Sequence, residues 1–513
     1  MAENPPTTPV SSVAPDATNS GAIGLRVVII GSGFCGLTSA IECRLRGMDV
    51  VVVETYPTSR TQGDVIDLFA NGGMIFESWD GGRIAEKMLQ ICINRNDTFK
   101  FYNAKGEYLM EDAWHKYPHH AQRQYAGHRG EMHEMVSDYA ASLGVEFRLG
   151  ETVVDYVDQG REGIDRQVGV SCASGLQVWG NVVLCCDGPR SLARQKVLQL
   201  PDHKVNSGYA IYRAFNTLTP EMRKNIYMSR FCDPERDFTG MWVGKDLHGL
   251  IYSWNKGHDL GWVLTHKDDH NIGESWSFPG RKQDVMACLD EGGFCELFKE
   301  VVRLTPEENL VDYKLVWRGP LKTWLPKGPY PRMIVLGDAA HCHLPTSAQG
   351  ASQSIEDGAA VAACLDKAKG DVSLALKVFE RIRFHRQHVI HMSSVSNQNE
   401  YHEIEWTPEF VKQHPDALKL RRPDWILEHD ARANVDQHFN HLADDVRSGK
   451  PGSLFDLALP AEGEIMQFRP GDDNEKAVDT SFEMDGMTPE EVQCKQAMET
   501  QGGVDSQVAV MAS

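Results

Sequence analysis

The chain has 513 residues, 41% hydrophobic and 24% charged, an ordinary globular composition with length for two or more cores. The net charge of −20 is uneven: residues 461–513 carry twelve acids against three bases, so the body is only mildly acidic, a balance that argues against nucleic-acid binding. No apolar run is long enough to cross a membrane, and no His, Cys or acidic cluster has metal-ligand spacing.

The start, up to about Ser20, is rich in Pro, Thr and Ser. It has neither a basic leader nor an apolar core of the secretory kind, so a cytoplasmic protein is expected by default. Residues 1–22 and the acidic segment 461–513 are expected to be disordered. The twelve Cys contain no CxxC pair and predict reduced, packed thiols.

The first clear element is Arg26-Val27-Val28-Ile29-Ile30, an apolar run typical of a buried parallel strand. Gly31-Ser32-Gly33-Phe34-Cys35-Gly36 follows at once. Phe34, Leu37, Ile41 and Leu45 then recur on one helix face. A second strand, Asp49–Glu54, ends in an acid. This strand–turn–helix–strand context is what GxGxxG needs to bind a dinucleotide, with Gly31, Gly33 and Gly36 at the pyrophosphate and Glu54 on the adenosine ribose. Asn181–Arg194 reads NVVLCCDGPRSLAR, an apolar strand delivering Asp187-Gly188 with Ser191 and Arg194 behind it. Arg332–Asp357 reads RMIVLGDAAHCHLPTSAQGASQSIED: a third strand ends in Gly337-Asp338, and Gly350-Ala351 opens an Ala-rich helix. An acid at a strand tip accepts from a polyol, and a helix N-terminus offers free N–H groups to an electron-rich ring edge. The pair suits a flavin nucleotide, with Asp338 on the ribityl chain and Gly350-Ala351 at the isoalloxazine.

In order and spacing these three motifs resemble those of the group A FAD-dependent aromatic monooxygenases, the para-hydroxybenzoate and salicylate hydroxylase-like enzymes. The resemblance runs from about Arg26 to about Val446. His128-Arg129-Gly130-Glu131-Met132-His133 is similar to the family's Arg-x-x-Leu-His helix start, which implies a flavin-nucleotide contact for Arg129, and Asp187 is implied as a cofactor residue in the middle motif. Where the family has Gly-Ala-Gly-Ile, this chain has Gly63-Asp64-Val65-Ile66, so only Gly63 of that loop is assigned to the flavin. His341-Cys342-His343-Leu344-Pro345 departs from the family's His-Pro. His343 is either a base or substrate partner at the reactive edge or a loop residue facing water, and the second reading is preferred.

The expected fold is α/β: a Rossmann-like FAD-binding domain, discontinuous over 23–200 and 324–370, with an inserted antiparallel substrate domain over 201–323. C-terminal helices follow over 371–460, starting with a long one at Asp371–Asn399. Tyr209–Phe215, Gly240–Val243, Gly249–Trp254 and Gly261–His266 alternate as half-buried strands do. This sheet is rich in aromatics (Tyr209, Tyr212, Trp242, Tyr252, Trp254, Trp262, Trp276) and would roof the flavin. Arg213 is its charged exception, read either as a structural ion pair or, as in the relatives, as a clamp on an anionic substrate; Tyr252 is the second catalytic candidate.

The resemblance implies an enzyme that takes electrons from NADPH or NADH, meets dioxygen, and hydroxylates a phenolic or other electron-rich aromatic small molecule through a flavin hydroperoxide. Epoxidising or dearomatising chemistry of secondary metabolism stays open, as does a non-catalytic FAD-binding scaffold. The halogenase Trp-x-Trp-x-Ile-Pro stretch is absent. A homodimer is also left open.

Overall fold

The strand Arg26–Ile30 lies at the centre of a five-stranded parallel sheet, which is why its side chains from Val27 to Ile30 are buried. The strand order is Met333–Val335, Val182–Cys185, Arg26–Ile30, Asp49–Glu54, Glu146–Leu149. All four pairings are parallel. The ends of three of these strands therefore bring Gly31, Asp187 and Asp338 to one edge, although 307 positions separate the first and last in sequence. Helix Phe34–Leu45 packs against helix Gly350–Lys367, and both are buried for most of their length.

The computed structural model describes residues 24–58, 65–159, 167–201, 204–268, 278–420, 422–461 and 463. Segment 1–22, nearly all of 461–513, Gly63 and Trp276 lie outside the described residues.

A second, eight-stranded sheet forms the roof. Its order is Phe278–Pro279, Val311–Arg318, Lys204–Thr217, Asp259–Lys267, Leu247–Trp254, Phe238–Gly244, Thr98–Asn103, Tyr108–Ala113. The last two strands correct the expected boundary: residues 98–113, assigned to the nucleotide-binding half, pair instead with the roof, Thr98–Asn103 running parallel to Phe238–Gly244. Their alternation (buried at Phe99, Phe101 and Asn103) requires a one-sided sheet, which the fully buried parallel sheet cannot provide.

The roof's outer face buries Tyr212, Trp242, Ile251, Trp262 and Leu264 beneath helices Lys282–Glu291 and Glu296–Leu304. Its inner face turns to the nucleotide-binding half, where Ile211 and Leu315 pack on Leu344. The long helix spans Val372–Glu403, with the Asp371 carboxylate accepting from the backbone N–H of Leu374 as its cap. Helix Ala431–Arg447 is tied back to the first helix by Arg432, whose guanidinium donates to the buried Glu42 carboxylate.

Phe298 fills the space over Gly249 and meets Trp242 and Trp262 edge-on. Phe298→Ala is expected to cost about 3–5 kcal/mol, read as a lower Tm in thermal unfolding, with FAD still present in the folded protein at low temperature.

Candidate active site

The nucleotide turn is built by steric exclusion. Gly31 adopts φ +94°, and a Cβ there would collide with the Cys186 carbonyl oxygen at the end of the neighbouring strand. Gly36 lets the helix settle on the Gly31 carbonyl. Gly33 faces open space and begins a helix with no side-chain cap, leaving N–H groups for a pyrophosphate. The Glu54 carboxylate accepts from Ser32 N–H at 2.8 Å and Ser32 Oγ at 2.9 Å, which sets it at the mouth of the turn. His133 holds the other side, its Nε2 donating to the Ser32 carbonyl at 2.6 Å. Burial pushes the His133 imidazole below its ordinary pKa, so it stands there neutral.

Asp187 serves the loop itself. Its carboxylate accepts from Ser191 Oγ (2.6 Å), Tyr156 Oη (3.1 Å) and Ala193 N–H (3.1 Å), so its direct role is to shape the turn beneath the nucleotide. Burial raises its pKa and these donors lower it. Arg194, three residues beyond Ser191, is buried and reaches the Ala339 carbonyl at 3.5 Å, joining the middle motif to the last one.

Asp338 is different. Its side chain is half-buried, and no hydrogen bond to it is found among the described residues. Burial raises its pKa, while His341 and Arg129 pull it down. Its Oδ1 lies 3.9 Å from where a Cβ on Gly350 would stand. The helix that Gly350 opens runs to Lys367 and has no side-chain cap. An acceptor without a donor beside uncapped N–H groups fits a ribityl chain and the polar edge of a flavin. Arg129, first residue of helix Arg129–Ser142, adds the nearby positive charge.

A sequence model of the FAD binding domain matches residues 24–271. The chain is 30% identical over 441 residues to asperlicin C monooxygenase of Petromyces alliaceus, covering 83% of this chain and 91% of the relative. Its structure resembles that of FqzB at 31% identity with a TM-score of 0.75, over 87% of this chain and 99% of FqzB. CtdE in complex with FAD and a substrate matches at 27% identity and TM-score 0.75, over 82% of this chain and 100% of CtdE. The chain belongs to the FAD-dependent monooxygenases.

In this monooxygenase the helix at Gly350 is held by buried charges that sequence reasoning left unused. Arg383 donates to Asp357 at 2.9 Å, to Glu356, and to Gln353 at 3.0 Å. Arg386 donates twice to Glu356, at 3.0 and 2.9 Å. Asp357 Oδ2 also accepts from His341 Nε2 at 2.6 Å and from Gly337 N–H at 3.2 Å, so one carboxylate joins the helix to the turn that carries Asp338. Burial alone would raise the pKa values of both acids. The arginines facing Glu356, and His341 with Arg383 facing Asp357, reverse this and hold both below the usual carboxylate range. The signal was present as Glu-Asp in one helix and two Arg three apart in the next, but only packing pairs them.

His343 departs from expectation: it is half-buried, with its ring nitrogens turned into the protein rather than to water. Its Nδ1 is buried with no partner, its Nε2 lies 2.7 Å from Gln387, and its ring stands 5.0 Å from His391. Burial first, and His341 second, hold its pKa well below normal. The loop is pulled inward because Leu344 packs into the roof.

The roof's inner face brings the two substrate candidates together. Arg213 lies opposite Val263, which lies opposite Leu250, two residues from Tyr252 on the same face. The Arg213 guanidinium sits 5.8 Å from the ring centre of Tyr313. Tyr252 lies opposite Gly261, and a Cβ at Gly261 would stand 2.8 Å from Val65 Cγ2. His128, the cap before Arg129, meets Phe215 at 4.5 Å.

Sequence reasoning missed Asp67, which shares the strand face of Val65 and so turns to this seam. Its Oδ2 accepts from Gln124 Nε2 at 3.1 Å, while Oδ1 is buried with no partner. Burial pushes its pKa up to about 7, against a lowering pull from Gln124.

Asp338→Ala is expected to give folded protein that purifies without yellow colour, checked by circular dichroism and the flavin absorption spectrum. Arg383→Met removes the only arginine that meets Asp357 among the described residues and one of the two that meet Glu356, and is expected to cost about 3–5 kcal/mol, read in chemical unfolding, with lowered FAD retention.

Proposed function

We propose that this enzyme oxygenates an electron-rich aromatic small molecule of secondary metabolism, held between the inner face of the roof and the flavin. We further propose that NADPH or NADH is the electron donor. The observation that carries this reading is the seam itself: Arg213 and Tyr252 on one sheet face, with a proton-exchanging carboxyl, Asp67, turned toward it from the other domain.

In this reading Gly31, Gly33 and Gly36 receive the pyrophosphate, Glu54 the adenosine ribose, and Asp338 the ribityl hydroxyls. Arg129 compensates the nucleotide's charge, Asp187 keeps the intervening turn in shape, and the N–H groups at Gly350 and Ala351 meet the electron-rich edge of the isoalloxazine. Gly63 is assigned to the same cofactor. Held by these residues, FAD would supply hydride-accepting and dioxygen-activating chemistry, the overall reaction placing one oxygen atom in the substrate and the other in water.

The chain's own residues position and tune the substrate. Arg213 holds a carboxylate, phenolate or carbonyl oxygen and stabilises negative charge there. Tyr252 offers a hydroxyl on the same face. Asp67 exchanges a proton with a substrate O–H or N–H, which enriches the ring in electrons before oxygen transfer. The packed roof excludes water from the seam.

A second outcome, epoxidation or dearomatisation, uses the same residues.

The test is a spectrum of the purified protein followed by NADPH and NADH oxidation with a panel of phenols and nitrogen heterocycles. Stimulated oxidation with a product one oxygen atom heavier supports the proposal, and loss of aromatic absorbance in that product marks the second outcome. A yellow protein that oxidises no panel member and incorporates no labelled oxygen argues for a scaffold.

Arg213→Ala is expected to abolish oxygen incorporation with FAD still bound; unchanged turnover would remove Arg213 from the site. Asp67→Asn is expected to lower kcat by about 10²–10⁴-fold and to erase an ionisation near pH 7 from the wild-type profile. The same change reads out in stability. The folded state keeps the Asp67 proton up to about 7, while the unfolded chain releases it near 3.8, so wild-type stability falls as pH rises between those values. Asp67→Asn should flatten that fall in thermal unfolding across the same range.

A further inference from the structure

Away from the flavin site, the turn Pro118–Gln122 meets the residues just after the short helix Asp424–Leu427. His119 Nε2 and His120 Nε2 converge on a single oxygen, Glu428 Oε1, at 2.9 and 2.6 Å. The three ligand atoms lie within 4.8 Å of one another. His120 and Glu428 are 308 positions apart, which is why no ligand spacing is visible in the sequence.

We propose that His119, His120 and Glu428 bind one divalent transition-metal ion of the zinc class, clamping the chain at Glu428 to the turn at Pro118. Two imidazole nitrogens and a carboxylate oxygen form a borderline-soft donor set preferred by such ions over magnesium or calcium. Bond lengths of roughly 2.0–2.1 Å need only a small outward shift of the exposed His119 and Glu428 side chains. His120 is fixed by contrast, its side chain 1% exposed, and provides a pre-oriented ligand.

The surroundings complete the site. Tyr117 stacks on His119 at 5.6 Å and donates to Asp424, which also pairs with Lys116. Asp424 offers further negative charge beside the site, and the exposed side leaves room for water as the remaining ligand. The ion would stiffen a segment next to the flavin support, because His429, the next residue, lies 3.8 Å from Glu356.

The holoenzyme is stripped with a chelator, dialysed, and titrated with zinc chloride by calorimetry and with cobalt chloride by visible absorption. His119→Gln and Glu428→Gln serve as controls, their flavin spectrum and circular dichroism confirming the fold. The expected result is about one more equivalent bound in the wild type than in either variant. Visible cobalt bands should appear only in the wild type, and Tm should rise by roughly 2–3 °C at a hundredfold excess over Kd. Equal uptake by wild type and both variants, or no saturable uptake by the wild type, overturns the proposal.

Discussion

Glu356 and Asp357 have no contact with solvent, and their charges persist in the interior because Arg383, Arg386 and His341 meet them with oriented N–H groups. Such a network costs desolvation for every member, and its return is geometric: each carboxylate oxygen has one arrangement that satisfies its donors. Asp357 uses that property twice, binding the turn at Gly337 and the ring of His341 while sitting in the helix that starts at Gly350. The half-buried carboxylate of Asp338 and the uncapped helix end are thereby fixed against each other. A flavin site needs both, at one separation, before any cofactor arrives.

The same economy of position governs the seam between the two sheets. The roof's outer face is closed by two helices and a cluster of aromatics, which leaves the inner face as the surface turned toward the nucleotide-binding half. Contacts at Leu344, Val65 and His128 hold that face close to the nucleotide-binding half. Loss of hydration at this seam raises the pKa of Asp67, outweighing the lowering pull of Gln124 and Arg422. Arg213, in contrast, rests beside a ring face, where a guanidinium keeps its charge at low desolvation cost. The seam thus presents a fixed cation and a titrating acid from opposite walls.

Much of this was legible in the chain. The strands Arg26–Ile30 and Asp49–Glu54 have the limits their apolar runs indicate, because a fully buried parallel strand admits almost nothing but branched apolar residues. The long helix Val372–Glu403 was visible from its periodicity as Asp371–Asn399, while its Asp371 cap appears only in the structure. The strands at 98–113 were assigned to the wrong half because alternation reports that a strand is one-sided, not which sheet accepts it. His343 was misread because a polar loop residue looks the same in sequence whether its loop faces water or is drawn under a sheet by the Leu beside it.

The sequence by itself determined the dinucleotide turn, the order of the motifs and the class of cofactor, since each rests on residues close enough along the chain for local sterics and periodicity to bind them together. The tertiary structure alone decided which charges pair, which acid is enclosed and which faces meet. Glu356 with Arg386, Val65 with Gly261 of the roof, and His120 with Glu428 are contacts between distant segments. Their energies come from desolvation, which no residue carries until the rest of the chain has closed around it.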